Sequence, residues 1–405
     1  VTKPRWSAWQ VVFGFGLVSL FADMVYEGAR SLYGPALLAL GASAAVVGLV
    51  TGAGEAMALV LRLFAGPIAD RRGAHWSFTI VGYGLTAVCV PLLAVTPRLG
   101  AAGLLVGSLL ILAERAGKAV RSPSKSALLA QAARSVGRGK GFGVHKALDQ
   151  LGAFSGPLLV AAIVAFTGSI WTGLAWLAVP GAIALVILLV IRRAVPDPTV
   201  YDPKPSAAAK PAPQSWWRAA LGANLPGAFF GYAIAMALTT GGLVTFAVLS
   251  VHLSRQGVPT AAIPVVYAGA MLVEAIAALL TGWAFDRLGS RVLLVVPILV
   301  ALVPALAFGP VLGVTLVGVA VWALAYGIQD STIKALVADL VPAHTLASAY
   351  GIFAAIQGVF AIGGGFLAGY LLDRSVPALI VVIAVAQAVA LVLLIITLRR
   401  VHRAG

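Results

Sequence analysis

About a dozen apolar stretches, each roughly 20 residues long, run through this 405-residue chain, and each is long enough to cross a bilayer as a helix. In hydrocarbon a backbone must satisfy its own hydrogen bonds, which leaves helices or a closed barrel. The stretches lack the strict alternation of a barrel strand. Charged residues make up only 10% of the chain, where a soluble domain carries about a quarter. The pattern predicts a polytopic all-α membrane protein.

Helices are expected at about 9–38, 46–66, 77–96, near 101 to just before Pro123, 141–167, 169–191, 218–252, 260–282, 291–309, 311–336, 346–371 and 376–398. Between the sixth and seventh, six prolines mixed with Ala, Lys and Asp read as an extended linker. The chain therefore divides into a first bundle over 1–193, a linker over 194–215 and a second bundle over 216–405.

The net charge of +15 could suggest nucleic acid in a soluble chain, but its distribution explains it otherwise. Arg98, Arg255 and Arg374 fall on one side of the expected membrane, Arg30, Arg62, Arg115 and Lys118 fall within helices, and the other cations lie on the opposite side. The positive-inside rule then predicts cytoplasmic termini, as in a bacterial inner-membrane protein, and no nucleic-acid partner. The first apolar segment is too long for a signal-peptide core and is read as a retained helix. Cys89 is the lone cysteine, so no intrachain disulfide is expected. With four methionines and no Ser/His/Asp set, metal-ligand cluster or phosphate loop, the chain predicts no enzyme, cofactor or metal site.

A second constraint is internal repetition. Gly66-Pro67-Ile68-Ala69-Asp70-Arg71-Arg72-Gly73 returns as Gly282-Trp283-Ala284-Phe285-Asp286-Arg287-Leu288-Gly289, 216 residues later. Gly41 falls on Gly257 at the same offset, and Gly143 and Gly156 fall on Gly351 and Gly364 at 208. The drift requires only loops of different length. Half-chain periodicity of this kind reads as one six-helix unit used twice.

These motifs resemble those of major facilitator superfamily transporters, over essentially the whole chain. Gly143, Gly152 and Gly156-Pro157 on the fifth helix are similar to the antiporter motif of that family's drug/proton exchangers, although Val160-Ala161 stand where that motif closes with paired glycines. The resemblance implies the major facilitator fold: twelve transmembrane helices in two pseudo-symmetric six-helix bundles around a cavity that opens alternately to each side. It also implies a gating role for Gly66, Asp70, Arg71 and Gly73. Small residues and a proline on one helix are equally what close packing and bending require.

Seven of the 13 acids lie within expected helices: Asp23, Glu27, Glu55, Glu114, Asp149, Glu274 and Asp330. A charge at the bilayer centre costs about 2.5–3.5 kcal/mol on insertion scales, so such groups face a cavity, pair, or carry a proton. The repeat supplies a control. Asp23 falls on Thr239, Glu27 on Leu243, Arg30 on Phe246 and Glu55 on Met271, while Glu114, Arg115 and Lys118 fall on Trp322, Ala323 and Tyr326. The same backbone unit is built without these charges, which favours function over scaffolding.

Asp23, Glu27, Glu55 and Glu114 are the candidate proton carriers, and Tyr26, Arg30, Arg115, Asn224, Glu274 and Gln357 the candidate substrate contacts. A static Glu27–Arg30 ion pair is the plainer reading of the first helix. Acids there with an arginine on the fourth helix resemble multidrug/proton antiporters, which would make Arg115 a relay or counter-ion. Arg121 and Asp149 with Asp70 and Arg71 form one candidate latch, and Asp286 and Arg287 with Asp330 and Lys334 the other. Static anchoring is the alternative for both. His145 and Lys146 are expected to be solvated or lipid-facing.

The reading that follows is a monomeric secondary transporter acting on a small-molecule substrate with protons among membrane lipids. Proton-coupled export of a partly apolar organic compound is one form. Symport or export of an organic anion, siderophore or sugar derivative held by Arg30, Arg115 and Lys118 is another. A non-transporting membrane sensor is a third, which would ordinarily need an added soluble module.

Overall fold

A computed structural model of the chain describes residues 6–201, 225–333, 335–341 and 345–404. Among these residues there are helices and no strands. Helix α1 (Ala8–Arg30) starts at a capping box, in which the Ser7 Oγ accepts from the Gln10 N–H at 3.3 Å and the Gln10 Oε1 accepts from the Ser7 N–H at 2.7 Å. After a two-residue break it resumes as Tyr33–Ala39. Then come α2 (Ala44–Arg72), α3 (His75–Leu92), α4 (Gly103–Val136), α5 (Arg138–Thr167) and α6 (Ile170–Ala194). The remainder are α7 (Gly227–Arg255), α8 (Ala262–Leu288), α9 (Val295–Ala307), α10 (Leu312–Thr332), α11 (Leu346–Arg374) and α12 (Val376–Ala404). Ten apolar stretches among the described residues are long enough to span a membrane. Two of them, His75–Val136 and Ala262–Ala307, each hold two helices joined by a 3-10 turn, so the stretches hold twelve helices.

Two elements depart from expectation. Helix α4 does not stop before Pro123 but continues to Val136. The proline removes one backbone bond, while Leu128, Leu129, Ala132 and Ala133 beyond it are buried against Val11, Phe15 and Val18 of α1 and Leu188 of α6. That packing holds the helix together. Helix α7 is broken between Gly242 and Phe246. A break at membrane depth must re-satisfy its freed carbonyls, and the Trp322 indole N–H donates to the Val244 carbonyl at 2.7 Å. Residues 218–224 of the expected seventh helix lie outside the described residues.

The described chain divides into two compact units, one taking in residues up to Leu32 and from Leu61 to the linker, the other Tyr33–Val60 with the residues after the linker. In the first, α1 and α5 touch backbone to backbone. A Cβ at Gly152 would collide with the carbonyl oxygen of Leu20, and one at Gly156 with that of Met24. In the second, α7 and α11 do the same, because a Cβ on Gly364 would strike the Gly241 carbonyl oxygen. Gly156 and Gly364 are the pair that the 208-residue offset brings into register.

The repeat is also written in the turns. Gly73 has φ 60° and its counterpart Gly289 φ 59°, while Gly41 has 87° and Gly257 77°. These are left-handed values that favour glycine. The glycines closing the doubled motif are there for turn geometry. Gly66 serves packing instead: a Cβ there would lie 3.4 Å from the Pro123 ring.

Replacing Gly156 by valine is expected to force α1 and α5 apart, costing about 1–3 kcal/mol of stability. Gly143, on the same helix, has nothing within 4 Å of where a Cβ would be. Gly143→Ala should therefore leave the melting temperature in detergent unchanged or slightly raised, while Gly156→Val lowers it.

Candidate functional site: a charged cluster on three helices

Three helices of the first unit carry polar residues or glycines at one spacing, i, i+4, i+7 and i+11, which places each set on one helix face. On α1 these are Ser19, Asp23, Tyr26 and Arg30; on α4, Glu114, Lys118, Arg121 and Lys125; on α5, His145, Asp149, Gly152 and Gly156. The glycines of the α5 stripe draw that helix against α1. Its two polar residues, on the same stripe, then meet the polar residues of α1.

The lowest layer is an acid pair with basic neighbours. The side chains of Asp23 on α1 and Asp149 on α5 are direct neighbours. Asp149 accepts from the Lys146 Nζ at 3.0 Å. The Lys125 Nζ donates to the Ser19 Oγ at 3.1 Å, and the His145 Nε2 lies 3.4 Å from the same oxygen. His145 is therefore not solvated or lipid-facing as expected: it is 6% exposed, because its position on the stripe with Gly152 and Gly156 turns it towards α1. Lys146, one residue on, is exposed.

The middle layer is built on Tyr26, which is fully buried. The Lys118 ammonium sits 3.6 Å from its ring centroid, the Arg115 guanidinium 4.6 Å and that of Arg30 5.8 Å. Arg115 also donates a hydrogen bond to the Tyr26 hydroxyl. A cation on an aromatic face gains about 0.5–2 kcal/mol, more where water is excluded. Three cations on one ring also repel each other, and acids offset this: Glu27 lies 3.7 Å from Arg30, and Glu114 lies 3.7 Å from Arg115.

The third layer lies at the α3–α4 contact, where a Cβ at Gly117 would come within 2.8 Å of the Gly82 carbonyl oxygen. Glu114 is completely buried there and accepts from the Thr86 hydroxyl at 3.4 Å. Arg121 donates to the Thr86 Oγ1 at 2.5 Å and covers the Tyr83 ring at 4.7 Å. Arg121 is thus held towards α3, while Asp149 engages Asp23 and Lys146.

Five cations (Arg30, Arg115, Lys118, Arg121 and Lys125) stand against four acids, Glu27, Glu114, Asp23 and Asp149. The cluster has a positive excess. Ser19, Thr86 and Lys125 escaped sequence reasoning. Lys125 was legible in principle, because it continues the α4 spacing once the helix is carried through Pro123.

The other sequence candidates are not part of this cluster. Glu55, Glu274 and Gln357 belong to the second unit. Gln357 is 4% exposed and its side-chain nitrogen makes no hydrogen bond among the described residues. Asn224 and Lys334 lie outside the described residues. Asp70 is exposed with the His75 Nε2 at 3.4 Å, and Arg71 is exposed. Asp286 and Asp330 are exposed, and Arg287 packs over Trp283 at 3.8 Å.

At the equivalent positions the second unit is aromatic. Phe246, Trp322 and Tyr326 stand where Arg30, Glu114 and Lys118 stand in the first. Their rings pack together, with Phe246 and Trp322 centroids 5.9 Å apart and Trp322 and Tyr326 5.5 Å apart.

Comparison with known proteins places this geometry in context. A family model described as the Major Facilitator Superfamily matches residues 15–359 and, again, 257–404. An uncharacterized protein of Mycobacterium tuberculosis (strain H37Rv) is 48% identical over 396 residues, covering 97% of this chain and 94% of the relative. An uncharacterized MFS-type transporter of Methanocaldococcus jannaschii is 28% identical over 148 residues, 36% of each chain. Among solved structures, a variant of the nucleoside transporter NupG superposes with a TM-score of 0.76 at 16% identity, covering 96% of this chain and 99% of that one. A D-xylose-proton symporter superposes with a TM-score of 0.66 at 13% identity, covering 96% of each chain. At such identities the structural likeness speaks to fold alone.

If Tyr26 is the platform of the middle layer, its ring and hydroxyl separate experimentally. Tyr26→Phe keeps the ring and removes the hydroxyl that accepts from Arg115, a loss of about 1.5–3 kcal/mol for a charged donor. Tyr26→Leu also removes the face that three cations share and should lower the melting temperature further. Equal melting temperatures for the two variants would show that the ring face contributes nothing.

Proposed function

The chain belongs to the major facilitator superfamily, and on that premise we propose that this secondary transporter moves a small organic anion together with protons. The observation that supports this most directly is the cation-rich Tyr26 layer beside the Asp23–Asp149 pair. Arg30, Arg115 and Lys118 are the proposed anion contacts. Arginine offers a planar fork to a carboxylate or phosphate, and lysine a point charge.

The sign of the coupling follows from electrostatics. Putting a proton on the acid pair removes one negative charge from a cluster that already has a positive excess. Anion binding is thereby favoured by protonation, and by linkage proton binding is favoured by the anion. Ligands that assist each other's binding travel together, so the cluster supports symport. Asp23 and Asp149 are the proposed proton site. Glu27 and Glu114, each beside an arginine, are the proposed electrostatic balance. The proposed setting is a monomer in a bacterial plasma membrane with cytoplasmic termini, exposing the site first to one side and then to the other.

Exchange of protons for a partly apolar organic compound is the second reading. It is favoured by the acid pair itself, which would attract a lipophilic cation once it has lost its proton.

Proteoliposomes carrying the full chain separate the two. With a panel of organic anions and an imposed pH gradient, accumulation should follow the proton gradient. Arg115→Ala should weaken uptake about ten- to hundredfold, the loss of a charge-assisted contact. Asp23→Asn with Asp149→Asn should leave anion binding but abolish its response to pH. Bound anion released on acidification would reject symport, and gradient-driven expulsion of lipophilic cations would assign the protein to the second reading.

A further inference from the structure

The second unit holds a groove of about 390 Å³ that the transport reading does not use. Leu238 and Gly241 of α7, Gly363 and Leu367 of α11, and Leu379 and Val382 of α12 line it. All three helices are long and apolar enough to span the membrane. Leu367 is 40% exposed and Val382 38%, so the groove opens sideways on the apolar surface. Its floor is made where Gly364 meets Gly241. Beside that contact, Gly363 leaves space: a Cβ added there would find no atom within 4 Å. A void in an otherwise close-packed surface forfeits dispersion unless something fills it.

The groove itself is apolar, and the α11 face turns polar beyond one end of it. On α11, Val359, Gly363 and Leu367 continue at helical spacing to Tyr370 and then to Arg374, the last residue of the helix. The Arg374 guanidinium lies 4.3 Å over the Tyr370 ring centroid. Its neighbour Asp373 does not neutralise it, because that carboxylate pairs with Arg255 at 2.5 Å and accepts from the Ala45 N–H at 3.3 Å. Dimensions fit one leaflet. From Val359 to Leu367 the helix rises about 12 Å, and half the hydrocarbon thickness is about 15 Å. Arg374 lies about 10 Å further on, at headgroup depth.

We infer that this groove is a binding site for one anionic phospholipid, with an acyl chain along Gly363 and Leu367 and the phosphate on Arg374. Charge complementarity selects the headgroup, and tyrosine and arginine are the residues that anchor at a membrane interface.

The test is native mass spectrometry of the full chain released from nanodiscs of mixed phosphatidylglycerol and phosphatidylcholine. Wild-type protein is expected to retain one lipid per chain, with about a fivefold preference for phosphatidylglycerol, as one interfacial cation provides. Arg374→Ala should keep the lipid and lose the preference. Gly363→Leu, which fills the groove, should lose the lipid without lowering the melting temperature. Arg374 is exposed, so its variant leaves the preference measurable even if Gly363→Leu misfolds. Equal retention of both lipids by the wild type, or an undiminished preference in Arg374→Ala, would overturn the assignment. A wild-type dimer dispersed by Gly363→Leu would overturn it too, in favour of a second copy of the chain.

Discussion

The backbone contact between α1 and α5 is the constraint on which the first unit depends. Glycine at 152 and 156 lets two helices approach until carbonyl oxygens occupy the space that side chains would take. Nothing in hydrocarbon drives apolar helices together as water does, so van der Waals contact at short range has to supply the association. The same contact fixes where polar residues one and two turns away must lie. Asp149 and His145 reach Asp23 and Ser19 because the glycines beyond them leave no other placement.

That placement resolves an energetic problem. Nine ionisable side chains in a lipid-embedded bundle would each be costly alone. Here all but Asp23, which faces Asp149, have a partner of opposite charge, an aromatic face or a hydroxyl, and Tyr26 and Thr86 serve more than one ion at once. Buried ionic groups of this kind are seldom the most stable solution, since removing charges from water costs more than pairing usually returns. Under the proposed function, their presence on one copy of the scaffold is explained by what they bind rather than by what they hold together.

Much of this was legible in the residues. Apolar runs of spanning length revealed the helices, the doubled glycine motif revealed the duplication, and the missing counterparts of Asp23, Glu27 and Glu114 pointed to the charged cluster of the first copy. What escaped was whatever depended on helix continuity. Pro123 looked like a terminus, so Lys125 fell off the α4 stripe, and His145 looked like a surface residue because its neighbour Lys146 is one. Pro123 does not end its helix, because Leu128, Leu129, Ala132 and Ala133 beyond it are buried. Partnerships across helices, such as Asp149 with Asp23, require the crossing geometry that the glycines set. No one-dimensional spacing contains it.

The ring cluster of Phe246, Trp322 and Tyr326 has a consequence for reprogramming the transporter. It fills, with uncharged groups, the sites that Arg30, Glu114 and Lys118 occupy in the sister copy. The molecule thus holds its own template for neutral replacement, already fitted to this backbone. Grafting those three residues together as a block would convert an ion-lined wall into a stacking wall. If the cluster recognises charge as proposed, the graft would turn it into a surface for flat, uncharged cargo on the same helical frame.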